Sequence, residues 1–150
     1  MPLQKHAVVH QLSELLKERL LASNEAVTST RVAFTSDTKS SAGDKHEVGR
    51  AMVQQELDKL EAQRAKLLHL QQELKQMPLE CRSDRIGFGS MVVTDQGSYL
   101  IGISFGAVEV ESQVVYAISL ASPMGQALKG KEVGSRISVQ GRELFVQAIE

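Results

Sequence analysis

The chain has one cysteine, Cys81, and no tryptophan. A single thiol forms no internal disulfide, so nothing here calls for an oxidising compartment. Aromatic residues make up 4% of the 150 positions, too few for base-stacking platforms. An excess of charge of one sign is also missing: 17 Lys and Arg stand against 18 Asp and Glu, a formal net charge of -1. Duplex nucleic acid as the direct partner normally requires a basic face. No apolar run approaches the roughly 20 residues that cross a bilayer. Met1-Pro2-Leu3-Gln4-Lys5-His6 lacks the apolar stretch of a signal peptide. These absences point to a cytoplasmic protein with no membrane partner. Its length allows one or two domains.

The residues that are present divide the chain in two. From Leu3 to about Phe34, apolar residues recur at helical spacing: Val8, Leu12 and Leu15, then Ala22, Ala26 and Ala33, interrupted by Arg19 and Ser29. Thr35 to Ala42 is rich in Ser and Thr and poor in apolar residues, which predicts a turn. A second helix follows, with Val53, Leu57, Leu60, Leu67 and Leu74 on one stripe and Arg64 and Gln71 on the same track. Leu68, Leu70 and Met77 widen the stripe, and Pro78 ends the helix. The expectation is an antiparallel coiled-coil hairpin over residues 1-77, with its tip near 35-47. The leucine-rich ends lie away from the turn, so the tip is expected to be slender and free to project.

Gly43-Asp44-Lys45-His46-Glu47 stands at that tip. Asp44-x-x-Glu47 before a helix has two readings. One is a capping box, in which Asp44 caps the helix and Glu47 reaches back to the cap residue's N–H, both acids favoured by the helix dipole. The other is a Mg²⁺ site, because Mg²⁺ is often held by one or two carboxylates plus a partner's groups and waters.

Residues 78-150 are punctuated by glycine and rich in β-formers. Met91-Val92-Val93-Thr94 and Ser98 to Phe105 read as a hairpin across Asp95-Gln96-Gly97. Val108 to Leu120 holds one or two more strands, and Arg136 to Val139 pairs with Leu144 to Ile149 around Gln140-Gly141. Between them, Ser122 fits a helix N-cap, Pro123 the first helical position and Gly130 the C-terminal cap. The predicted fold class is α+β: a helical hairpin followed by a small antiparallel sheet with one short helix.

This order and two motifs resemble the Gre transcript-cleavage factor family of bacterial RNA polymerase. One motif is Gly43-Asp44-x-x-Glu47. The other runs from Ile118-Ser119-Leu120-Ala121-Ser122-Pro123-Met124 through Gly125-Gln126-Ala127-Leu128-Lys129-Gly130-Lys131-Glu132. Glu143 to Ile149 is similar to the family's last strand. The resemblance implies an FKBP-like C-terminal domain that docks outside the polymerase and a coiled coil that enters its secondary channel. It implies that Asp44 and Glu47 lend oxygens to a Mg²⁺ shared with the polymerase, so that backtracked RNA is cleaved near its 3′ end. It places Ser122, Pro123 and Met124 in the docking region. The chain would be a monomer that binds no cofactor stably and stimulates the polymerase's own hydrolysis rather than forming a complete enzyme. The residues after Glu47, Val48-Gly49-Arg50, depart from the family's Asn-Ala followed by an acid and an aromatic. That departure keeps a second reading in play, a channel-binding regulator that does not cleave.

Other residues support less. His6 and His10, four apart, could present one metal face, but no third ligand is near in sequence and they read as surface or seam histidines. His46 reads as a solvated turn residue and Cys81 as an unreactive thiol. An FKBP-like fold also raises prolyl isomerase activity, for which Phe88, Tyr99, Phe105, Tyr116 and Phe145 are the available aromatic lining.

Overall fold

A computed structural model describes residues 3–39, 44–80 and 84–150, with side chains left undescribed at 36–39 and 44–48. Two long helices come first, α1 (Lys5–Lys39) and α2 (Asp44–Gln76). Six strands and a short helix follow: β1 (Met91–Thr94), β2 (Gly97–Ile101), β3 (Gly106–Val110), β4 (Gln113–Ile118), α3 (Pro123–Leu128), β5 (Arg136–Val139) and β6 (Arg142–Ile149). The expected α+β class, a helical hairpin followed by a β domain with one short helix, is what is found. Two compact units divide the chain, one of Met1–Glu14 with Gln72–Glu150 and the other of Leu15–Gln71. The division runs through both long helices.

Helix α1 is longer than its sequence suggests. Thr35 to Lys39 continue the helix, so the predicted turn at Thr35–Ala42 starts too early. Thr35 lies within this helix, its hydroxyl satisfied by donating to the Arg31 carbonyl at 3.0 Å. The buried stripe also departs from expectation beyond Leu12. It passes through Leu16, Leu20 and Val27, with Ser23, Thr30 and Phe34 half-buried along the same track. Ala22 and Ala33 are exposed, and Leu15 and Ala26 only half-buried. Leu20, Val27 and Phe34 on this track each bury more apolar surface than Ala22, Ala26 and Ala33 could on the other. Arg19 and Ser29 lie outside it, exposed, and interrupt nothing.

Helix α2 follows its predicted stripe. Leu57 and Leu74 are buried, and Val53, Leu60, Arg64, Leu67 and Gln71 are half-buried. Met77 is 4% exposed just past the helix, whereas Leu68 is 42% exposed and does not widen the seam. Arg31 Nη2 donates to Glu61 Oε1 at 2.5 Å across the hairpin, an exposed ion pair worth well under about 1 kcal/mol.

The sheet has the order β3-β4-β2-β1-β6-β5. It is mixed, not wholly antiparallel as expected, because β2 and β4 run parallel, with Tyr99 opposite Tyr116 and Leu100 opposite Ala117. The predicted strand Ser98–Phe105 ends at Ile101. From there the chain crosses the end of β4, with Gly102 N–H bonded to the Ile118 carbonyl at 2.8 Å and Phe105 N–H to the Ala117 carbonyl at 3.2 Å. It then returns as β3 on the outer side of β4, which leaves β4 parallel to β2. Two-residue turns close the β3–β4 and β5–β6 hairpins: Glu111 and Ser112 at φ 51° and 65°, Gln140 and Gly141 at φ 51° and 81°. Positive φ at both central positions matches the right-handed twist of paired strands.

Alternation along the strands buries both faces of this sheet. One face carries Val92, Tyr99, Ile101, Leu144 and Val146 against Leu128 of α3. The other carries Met91, Leu100, Val108, Val115 and Ala117, all at most 2% exposed. In the same compact unit the helical residues Leu3, Val8, Leu12, Leu74 and Met77 are buried as well. Met77 is packed so closely that a Cβ at Gly102 would stand 2.6 Å from its sulfur.

The seam register predicts opposite outcomes at adjacent leucines. Leu16→Ala should lower stability by about 2–5 kcal/mol, the range for a buried leucine, and Leu15→Ala by less than about 1.5 kcal/mol. Urea denaturation followed by circular dichroism measures both.

Candidate functional site

Two places in the fold correspond to the functional residues expected from sequence. The first is the start of α2. The helix opens at Asp44, and Glu47 lies three residues on, within the same first turn. Residues three apart on a helix are surface neighbours. The side chains of Asp44, His46 and Glu47 lie outside the described residues, as does Gly43. The described residues begin again at Gly49 and Arg50. Arg50 places its guanidinium carbon 5.8 Å from the centre of the Phe34 ring, joining α2 to α1 near their connected ends. Such a cation–π contact is worth about 0.5–1 kcal/mol when exposed, a modest preference for this pairing of the two helices. Sequence reading missed this pair because it followed Ala33 rather than Phe34. Gly49 has nothing within 4 Å of a built Cβ, so its lack of a side chain answers no packing need.

The second place is the segment from Ser119 to Lys131. Ser122 is the N-cap of α3, with extended backbone at φ -67° and ψ 157°, and its side chain accepts from the Gly125 N–H at 3.0 Å. The same hydroxyl donates to the Ser119 carbonyl at 2.7 Å. Gln126 Nε2 donates to the Leu120 carbonyl at 2.7 Å. Gly125 is buried against this loop, and a Cβ there would stand 2.1 Å from the Ser119 oxygen. Beyond the helix, Gly130 takes φ 76° as the left-handed cap, and its N–H bonds to the Ile86 carbonyl at 2.8 Å. Ile86 N–H returns a bond to the Lys131 carbonyl at 2.9 Å.

The three residues expected at the docking surface therefore do different things. Ser122 is committed to capping. Met124 is half-buried and packs on the core. Pro123 is exposed, with Ala121 and Gln126 exposed beside it. Sequence reading found the caps but missed Gly125, whose demand comes from a close approach that only the folded loop creates.

The aromatic residues do not gather into one lining. Tyr99 is 7% exposed in the core, with its ring centre 5.9 Å from that of Tyr116, which is 44% exposed. Phe145 lines a shallow cleft of about 380 Å³ with Asp95, Arg136, Glu143 and Leu144. Asp95 is committed there, accepting from the Phe145 N–H at 2.8 Å. Among the described residues, no three His, Cys, Asp or Glu side chains group so as to hold a metal ion. No helix is long and apolar enough to cross a membrane, among the described residues.

No family model and no curated protein matches the chain. Among solved structures it is similar to the GreA factor homolog 1 (Gfh1) protein of Thermus thermophilus, at 22% identity over 92% of this chain and 94% of that one, with a TM-score of 0.36. It is also similar to a structure of the transcription factor Gfh1, at 27% identity over 91% and 92% of the two chains, with a TM-score of 0.37.

The capped segment gives a graded prediction. Ser122→Ala should destabilise by about 1 kcal/mol, the cost of losing a serine N-cap. Gly125→Ala should cost more, about 2–3 kcal/mol, because the loop carbonyl must move to admit the methyl group. Denaturant midpoints for the two variants check the order.

Proposed function

We propose that this protein is an elongation factor of a bacterial RNA polymerase that stimulates cleavage of backtracked RNA. In this reading the helical hairpin enters the polymerase's secondary channel, and the β domain docks outside through the surface around Pro123. Asp44 and Glu47 lend oxygens to a Mg²⁺ shared with the polymerase. The observation that carries the reading is the placement of this acid pair. It opens a helix of 33 residues, about 50 Å long at 1.5 Å per residue. A long, narrow element with hard-oxygen donors at its first turn suits delivery of ligands into a deep channel.

The donor set fits the metal. Mg²⁺ takes oxygen ligands in octahedral geometry and is commonly held by one or two carboxylates with a partner's groups and waters. When bound, the cation supplies a polarised water and charge neutralisation for phosphodiester hydrolysis. This chain's own residues do the rest. Asp44 and Glu47 lie within one helical turn. The Arg50–Phe34 contact favours this pairing of the two helices. The chain lends ligands and leaves the reacting phosphate to the polymerase.

The test is RNA cleavage in a defined backtracked elongation complex with Mg²⁺ and the cognate polymerase. The wild type should shorten the RNA at its 3′ end. Asp44→Ala/Glu47→Ala should slow this by about a hundredfold or more, the scale on which loss of a charge-stabilising group acts, while polymerase binding persists. Equal cleavage by the double variant would remove the acids from the mechanism. Binding without cleavage by either protein would make this a channel-occupying regulator, the reading that Val48-Gly49-Arg50 favours.

A further inference from the structure

The first two turns of α1 carry a feature that the proposed function does not use. His6 and His10 are four residues apart in the helix that starts at Lys5, and both are exposed. The seam positions around them are taken: Lys5, Val8 and Leu12 are at most 1% exposed. The two histidines stand about 150° around the helix axis from that buried stripe, at 100° per residue. They are therefore not seam residues, one of the alternatives the sequence left open. Both imidazoles are open to solvent, whereas Glu14 and Lys17, further along the helix, have interaction partners.

We infer that His6 and His10 form a bidentate helical chelate for a borderline divalent transition metal, Ni²⁺, Cu²⁺ or Zn²⁺. Side chains at i and i+4 on a helix are neighbours, with Cβ atoms about 5–6 Å apart, which lets two ring nitrogens reach one ion. Imidazole nitrogen suits these metals and not Mg²⁺ or Ca²⁺, which take oxygen donors. The helix is already formed and anchored by Val8 and Leu12 beneath the pair, so binding orders little backbone. With two protein donors the remaining coordination positions are left to water, and Cu²⁺ and Ni²⁺ should bind more tightly than Mn²⁺. The chelate is separate from the acid pair in ligand type and in metal class.

Calorimetric titration of the full chain with NiCl₂ tests it. The wild type should bind one equivalent saturably, and His6→Ala and His10→Ala should each weaken binding by about tenfold or more. The deciding variant is His10→Gln/Gln11→His, which keeps both imidazoles but turns one by 100° around the axis. It should weaken binding as much as His10→Ala does. His46→Ala and His69→Ala should bind as the wild type does, and circular dichroism should show unchanged helix content in every variant. The inference is overturned if the wild type shows no saturable Ni²⁺ binding, if either single histidine variant binds as tightly as the wild type, or if the register-shifted variant does.

Discussion

The structure depends on a sheet that has no face left for water along its central strands. Val92, Tyr99 and Ile101 point to one side and meet α3 through Leu128. Met91 and Leu100 point to the other and are at most 2% exposed. One short helix of six residues covers a single face. The second face belongs to a compact unit that also includes Met1–Glu14 and Gln72–Met77, in which Leu3, Val8, Leu12, Leu74 and Met77 are buried as well. Gly102 lets Met77 approach closely, because a Cβ at that position would stand 2.6 Å from its sulfur and displace the thioether. The Lys5 N–H also donates to Glu150 Oε1 at 3.3 Å, joining the start of α1 to the residue after β6. Both helix ends thus touch the β domain, at Glu150 through Lys5 and at Gly102 through Met77.

The hairpin beyond those ends is held by much less. Its seam in α1 runs from Leu16 and Leu20 through Ser23 to Val27, Thr30 and Phe34, with polar residues taking every other step. In α2, Arg64 and Gln71 occupy seam positions and remain half-exposed. A stripe one residue wide buries little area per turn, and stability scales with that area. Near the connected ends the seam finishes on Phe34 and Arg50, a pair in which the ring offers a face to a cation instead of to another apolar side chain. Such a contact favours this pairing of the helices with little apolar burial. It suits a segment that must keep a defined helical form while leaving most of its surface polar.

Much of this was readable from the sequence, and the parts that were not have physical reasons. The α2 stripe was found because its leucines recur at steps of three and four with little apolar competition nearby. The α1 stripe was placed one residue off because two tracks fit the spacing, and only packing shows that Leu16, Leu20 and Val27 win over Leu15, Ala22 and Ala26. The β3–β4 hairpin stayed unresolved because its turn uses Glu111 and Ser112 at positive φ, where Gly or Asn would have signalled it. Gln140-Gly141 has the same geometry and carries that signal. The parallel β2–β4 pairing depends on a chain crossing that no local pattern encodes. For the candidate site, the Ser122 cap was legible because capping is local chemistry. The demand on Gly125 was not, since it arises where helix and loop meet in the fold.

The start of α2 carries a conflict that bears on what its acids are for. Asp44 and Glu47 sit in the first turn, where each negative charge gains about 0.3–1 kcal/mol from the helix dipole. Gly49, two residues later, costs about 0.5–1 kcal/mol relative to alanine. A methyl group at Gly49 would meet nothing within 4 Å. The helix start therefore forgoes at one position roughly what one of the acids contributes at another. If stability of this turn were the governing demand, alanine at 49 would meet it without any charge. Helix stability alone therefore does not explain why Asp44, Glu47 and Gly49 occur together in this turn.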